Sequence, residues 1–253
     1  MAPVYGRGGV RGLAMQVGLV AAGFVFYLVV RAVTVGERAV AIGHGHDVLR
    51  VERTLGLDWE RAGQAATLHH EWLRDLFDTV YASIYWPMLI AALLVLWRWD
   101  RRRYLILRDA MAISGAIGLL VFALYPVAPP RMLDGYVDTV SASARQHFIA
   151  HPSSFVNPYA ALPSFHAGWV TLSALVLAAA SRRWIVRAVA LVPAALMAIT
   201  VVVTANHYVV DVIAGIGLSL LGAALAVGLH RRRANSAAGS AWPTTAAPTR
   251  AQS

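Results

Sequence analysis

The chain contains no cysteine and no lysine, and only 14% of its 253 residues are charged. Without cysteine it has no disulfide, no thiolate nucleophile and no sulfur-ligated metal site. Soluble domains carry about 25% charged residues, so so little charge excludes an ordinary water-soluble surface. Apolar residues fill the gap: 58% of the chain is hydrophobic and the mean hydropathy is +0.57. Apolar runs occupy 13–33, 80–97, 104–125, 166–180 and 208–229, and a sixth, 184–204, is interrupted by Pro193. A membrane helix tolerates such a proline where neighbours satisfy the freed carbonyl. Each run approaches the roughly 20 residues needed to cross the hydrocarbon core, 166–180 being the shortest.

With lysine absent, all 22 basic residues are Arg and the formal net charge is +9. The arginines do not line a stacking surface, so a nucleic-acid partner is not expected. They cluster between apolar runs: Arg98, Arg101, Arg102, Arg103 and Arg108, then Arg182, Arg183 and Arg187, then Arg231–Arg233. This is the pattern of basic residues retained on the cytoplasmic side. If Arg7 and Arg11 stay inside, six crossings bring all three clusters to the cytoplasm and leave 36–79, 126–163 and 204–207 outside. The outer segment 36–79 holds five Arg against eight acidic residues, consistent with that orientation. The run at 13–33 exceeds the usual 7–15 apolar residues of a signal peptide and lacks a clear small-x-small cleavage site, so it reads as an uncleaved first span.

The expected fold is all-α, a polytopic membrane protein with six transmembrane helices in a bundle and external interfacial helices. Residues 1–233 read as a single transmembrane domain, and 234–253, rich in Ala, Ser, Thr, Pro and Gly, as a disordered cytoplasmic tail. In 59–78, Trp72, Leu73, Leu76 and Phe77 share one helical face and Glu71, Arg74, Asp75 and Asp78 the other. That pattern suits a helix lying in the interface or capping the bundle.

Three stretches carry chemistry, all at the external ends of spans: Tyr125-Pro-Val-Ala-Pro-Pro-Arg131, Asn157-Pro-Tyr-Ala-Ala-Leu-Pro163-Ser164-Phe165-His166, and Asn206-His207-Tyr-Val-Val-Asp211. His207 and Asp211 stand four residues apart at a helix start and so share a face. A carboxylate there can hold one imidazole nitrogen and leave the other free to attack. Asp211 lies about a turn inside an apolar helix, where an unpaired carboxylate costs several kcal/mol. Ser164 reads as a helix N-cap, with the amides of Phe165 and His166 aimed where a phosphate oxygen sits. His166 stands beside that phosphate, suited to protonating a leaving alkoxide. Arg131, after a stiff proline-rich turn, can clamp two phosphate oxygens. The bland alternatives are a capping serine, interfacial histidines and a solvated loop arginine. Against them, all of these groups reach one external level.

The order Arg131, then Pro-Ser-x-His, then His-x-x-x-Asp resembles the type 2 phosphatidic acid phosphatase superfamily, and the wording of the motifs its inositol phosphorylceramide synthase-like branch. The layout matches from about residue 36 to 229, though the specific motifs cover under thirty residues. The resemblance implies that His207 attacks phosphorus and becomes a phosphohistidine, with Asp211 orienting it. It implies that His166 protonates the leaving oxygen, while Arg131, Ser164 and Phe165 hold the phosphate. Neither a metal nor a cofactor is required, and the partners implied are a lipid phosphate or phospholipid substrate and the membrane lipids themselves. Two cations of the phosphatase pattern are replaced, by Leu124 and Val201, and Pro-Ser-Gly-His has become Pro-Ser-Phe-His. A phosphomonoester carries up to two negative charges and a phosphodiester one, so fewer cations favour a phosphodiester donor. A general lipid phosphatase leads, with headgroup transfer to a lipid alcohol as the alternative and a transporter or non-catalytic scaffold as the rival class.

His44, His46, Asp47, His69 and His70 lack the usual metal-ligand spacing and read as exposed loop residues. His147 and His151, in the loop before the second motif, are candidates for bordering the substrate, and Arg145 for supplying charge. The lipid, the acceptor and the oligomeric state are left open by the sequence.

Overall fold

The computed structural model describes residues 38–139 and 157–239, with scattered residues between 15 and 32, all of them helical. Seven helices follow: α1 (Arg38–Leu55), α2 (Glu60–Leu68), α3 (Glu71–Trp99), α4 (Arg101–Leu124), α5 (Phe165–Ala180), α6 (Trp184–Val203) and α7 (Val209–Gly239). Among the described residues there is no strand, only an isolated bridge between Val127 and Ala160. Among the described residues four helices, α3, α4, α6 and α7, are long and apolar enough to cross a membrane, and α5 is a shorter apolar helix. The run at 13–33, counted as the first of six spans, falls only partly within the described residues. The segment holding His147, His151 and Arg145 falls outside them altogether.

Hydropathy sets the spans, and local chemistry sets their ends. Asp100 closes α3 and caps α4, its carboxylate accepting the Arg103 amide at 3.0 Å. Ser164 caps α5 by accepting the Ala167 amide at 3.3 Å. The 16 residues of α5 rise about 24 Å, less than the roughly 30 Å hydrocarbon core. Ser164, at the N-terminus of α5, is fully buried.

The outer segment departs from the expected separate interfacial helix. The chain breaks at His69 and His70, where His70 takes an extended conformation, and Glu71 begins the 29-residue α3. Residues 71–79 are therefore the opening turns of a span. Trp72 is exposed, as an interfacial face requires. Asp78, assigned to the polar face, is instead buried and accepts the Thr139 hydroxyl at 2.7 Å. At the opposite end of the chain, α7 runs past Arg233 to Gly239.

The main core lies between the spans, around Leu89, Leu96, Leu107, Leu172, Met197 and Val201. A smaller cluster gathers Val48 and Leu49 of α1, Val127, Leu133 and Ala161 around the fully buried Tyr208, forming a cap over one end of the bundle. Beneath it α5 meets α7 almost backbone to backbone. A Cβ on Gly215 would stand 2.1 Å from the Ser164 carbonyl oxygen, and one on Gly168 2.4 Å from the Gly215 carbonyl oxygen. Only glycine permits that approach.

Gly215→Ala is expected to lower thermal stability in detergent by roughly 1–3 kcal/mol, the usual cost of overpacking a rigid contact. Gly217→Ala, which meets no atom within 4 Å, should leave the melting temperature within a degree or two. Equal melting of the two variants would refute the close-contact account.

Candidate active site

The site is built on the turn joining α6 to α7. Thr204 donates its hydroxyl to the Thr200 carbonyl at 2.7 Å, and Ala205 follows with φ +54. That left-handed conformation is uncommon for a residue with a side chain. It folds the chain so that the Asn206 and His207 amides both return to the Val201 carbonyl, at 3.0 and 2.9 Å. His207 is held there, 5% exposed.

The ring of His207 has two partners. Its Nδ1 lies 2.8 Å from the Ala161 carbonyl oxygen and 3.3 Å from Asp211 Oδ2. A carbonyl can only accept, so Nδ1 carries the proton and Nε2 keeps its lone pair. Asp211 is fully buried, and its Oδ2 also accepts the Tyr208 amide at 3.0 Å. This is the backbone half of a capping box, an N3 carboxylate reaching back to the N-cap amide. The four-residue spacing thus brings His207 and Asp211 together, but the shorter contact is to Ala161, a main-chain partner that no side-chain pattern marks. Burial holds the imidazole pKa down at about 3, and the Arg131 charge pushes the same way against the Ala161 carbonyl. The ring is therefore neutral at any physiological pH.

His166 lies with its ring centroid 5.8 Å from that of His207. Two tyrosines of α3 hold it: Tyr81 stacks at 4.7 Å with planes 22° apart, and Tyr85 lies at 4.4 Å. Arg131 follows the proline turn into a short 3-10 segment, Pro130–Met132. Its amide donates to the Ala205 carbonyl at 2.8 Å, its guanidinium donates to Asn206 Oδ1 at 2.5 Å, and its Nε lies 3.7 Å from Asp138. Asn206 in turn donates to the Thr204 hydroxyl at 2.8 Å. The arginine is thereby tied to the very turn that carries His207.

Ser164 joins the same turn, its amide donating to the Asp211 carbonyl at 3.0 Å. Phe165 turns the other way. Its ring packs on Phe122 and Trp169, at 5.6 and 4.7 Å between centroids, and a Cβ on Gly118 would meet it at 2.2 Å. Any phosphate contact from Phe165 is therefore confined to its amide. The two positions lacking a cation are also settled: Leu124 is 81% exposed at the end of α4, and Val201 is fully buried under the turn.

His44 is engaged in the cap, stacked on Tyr125 at 3.8 Å with Nδ1 2.8 Å from the Pro126 carbonyl oxygen. Two residues escaped the sequence reading altogether. Glu52 and Glu60, fully buried, accept the amides of Val210 and Val209 at 2.7 and 2.8 Å. They lie among alternating charges on short helices, where nothing in the pattern separates them from solvated neighbours.

A folded-state pKa below the unfolded value of about 6.5 means the unfolded chain binds more protons between the two. The contribution of His207 to stability is therefore complete above pH 6.5 and is lost as pH falls toward 3. Thermal unfolding in detergent should show wild type losing stability over that window more steeply than His207→Gln. Parallel curves would refute a buried, neutral imidazole.

A family model described as the PAP2 superfamily matches residues 46–225. A protein of Bacteroides thetaiotaomicron, phosphoinositol dihydroceramide synthase, is 25% identical over 171 residues, covering 61% of this chain and 56% of that protein. The chain thus matches little more than half of that relative's length. No solved structure gives a significant match.

Proposed function

The chain belongs to the PAP2 superfamily of membrane phosphatases and phosphotransferases, and from that premise we propose that it takes a phosphoryl group from a lipid phosphate onto His207. The observation that carries this reading is the pair of acceptors against His207 Nδ1. Nδ1 is committed to Ala161 and Asp211, so the lone pair is on Nε2, the nitrogen required for attack. Nε2 attacks phosphorus as the P–O bond to the lipid breaks, and His166 gives its proton to the departing oxygen. An acceptor oxygen then attacks phosphorus, His166 takes its proton, the P–N bond breaks and His207 is regenerated. Asp211 and the Ala161 carbonyl hold the ring and stabilise the charge it gains on attack. Arg131 and the first-turn amides of α5 offset the charge on the phosphate oxygens.

Transfer of a phospholipid headgroup to a lipid alcohol is a second form of the same chemistry, with the headgroup retained on the phosphoryl unit. A specific observation favours it: neither Leu124, facing outward, nor Val201, sealed in the core, can supply the further positive charge that a dianionic phosphomonoester favours. The synthase similarity points the same way. The arginine clusters at the far end of the bundle support an integral protein with both termini cytoplasmic and the site on the extracytoplasmic face.

Purified wild type is expected either to release inorganic phosphate from phosphatidic acid or to move the headgroup of phosphatidylinositol onto a ceramide-type alcohol. His207→Ala should abolish whichever activity is seen, and Asp211→Asn should lower it by roughly 10²- to 10⁴-fold, the range for losing the carboxylate that orients a catalytic histidine. Phosphate release identifies a phosphatase and headgroup transfer a transferase. A folded His207→Ala variant with wild-type turnover would overturn the nucleophile assignment.

A further inference from the structure

The N-terminus of α7 begins one residue beyond Tyr208, itself adjacent to His207, and its capping is unusual. A helix normally receives a cap from a short polar side chain of its own chain. Here the N-cap position is Tyr208, whose hydroxyl points away and donates to the Ala128 carbonyl at 2.9 Å. Asp211 satisfies the Tyr208 amide. The next two orphan amides are taken from outside the helix: Glu60 of α2 accepts from Val209 at 2.8 Å and Glu52 of α1 from Val210 at 2.7 Å. Both glutamates are 0% exposed.

We propose that Glu52 and Glu60 act as a carboxyl–carboxylate clamp, sharing one proton, that holds the first turn of α7 and thereby sets the position of His207. This deepens the proposed function and rests on it. Each glutamate uses one oxygen on the backbone. The other, Oε2 of each, is buried and meets no N–H or O–H donor among the described residues, while the two carboxyl groups interact with each other. Two buried carboxylates side by side cannot both keep their charge, and a single proton between them removes one charge and gives one Oε2 a donor. The remaining negative charge lies on the positive end of α7.

The surroundings favour the shared proton over two charges. Asp211 of α7 faces the pair and adds repulsion, and Tyr208 of the turn is near enough to feel both glutamates. Tyr136, from the loop after α4, stands beside them with Arg61 and Arg53 within its reach, and neither arginine forms an ion pair with Glu52 or Glu60 within 4 Å. Burial foremost, then the neighbouring carboxylates, pushes Glu52 up to about 8 and Glu60 upward as well.

The clamp predicts a pattern that a merely structural pair would not produce. Glutamine reproduces the protonated carboxyl, so one Glu→Gln change preserves the single charge, whereas alanine removes an acceptor. With the full-length protein in detergent, on whichever probe wild type turns over (phosphatidic acid, or phosphatidylinositol with ceramide), Glu52→Ala and Glu60→Ala should lower kcat by roughly 10- to 100-fold, as loss of a supporting partner does elsewhere. KM should stay within about threefold. Glu52→Gln should recover most of the pH 7 rate and lose the part of the alkaline limb that wild type shows near pH 8. Wild-type kcat in both alanine variants, or a glutamine variant no better than alanine at every pH, would overturn the clamp. If the alanine variants do not fold, an alkaline limb identical in Glu52→Gln and wild type would overturn it.

A readout independent of activity separates this proposal from the function it rests on. A carboxyl raised in the folded state adds stability that is complete below the unfolded value of about 4.5 and is lost as pH rises through about 8. Wild type should therefore melt at progressively lower temperature across that range, and Glu52→Gln should flatten the slope. A flattened slope with no turnover on any lipid would retain the proton-sharing pair but reject the functional reading. Equal slopes would reject the pair whatever the activity.

Discussion

The first turn of α7 is the point on which the architecture depends, because it must satisfy several buried amides and hold a buried histidine where water is excluded. An unpaired backbone N–H or carboxylate costs several kcal/mol in an apolar interior. The amides there are matched instead, and each carboxylate gives one oxygen to them: Asp211 to Tyr208, with the His207 ring beside it, Glu60 to Val209, Glu52 to Val210. Two of the partners, Glu52 and Glu60, come from the cap helices α1 and α2, so the turn is matched only where those helices are docked. The cap is accordingly part of the site rather than a lid laid over it.

Glycine and serine carry the complementary constraint. The contact of Gly168 and Gly215 with opposing backbone draws α5 against α7, and the hydrogen bond from the Ser164 amide to the Asp211 carbonyl locks their register. His166 rides on the first turn of α5 and His207 just before α7, so backbone packing brings the two rings to 5.8 Å between centroids. The aromatic pair Tyr81 and Tyr85 fixes the remaining freedom of His166 from α3, while Arg131 is fixed by Asn206 and the Ala205 carbonyl. Four elements thus converge on one site.

Much of this was legible in one dimension. Apolar run length marked the helices, since burying a helix in hydrocarbon demands an uninterrupted apolar stretch. Ser164 was legible as a cap and His207 with Asp211 as a pair, because both depend on spacing within one helix. The region 59–78 was not: its amphipathic face suggested a separate helix, yet a break at His69 and His70 assigns its second half to α3, and Asp78 is satisfied by Thr139 from 61 residues away. The Phe165 side chain was equally ambiguous, since whether a ring at that position faces a phosphate or the next span depends on Gly118 leaving room for it.

Residue order and hydropathy alone settle the helical membrane architecture and the local capping of its helices, since these are properties of contiguous residues and their solvent. They also place the motif that marks the superfamily. The partners of the buried polar groups were left to the fold: the Ala161 carbonyl for His207, Asn206 for Arg131, and the two glutamates for α7. A main-chain carbonyl has no residue identity to read, and a glutamate 149 or 158 residues from its amide is chemically the same as one in water until docking removes its solvent.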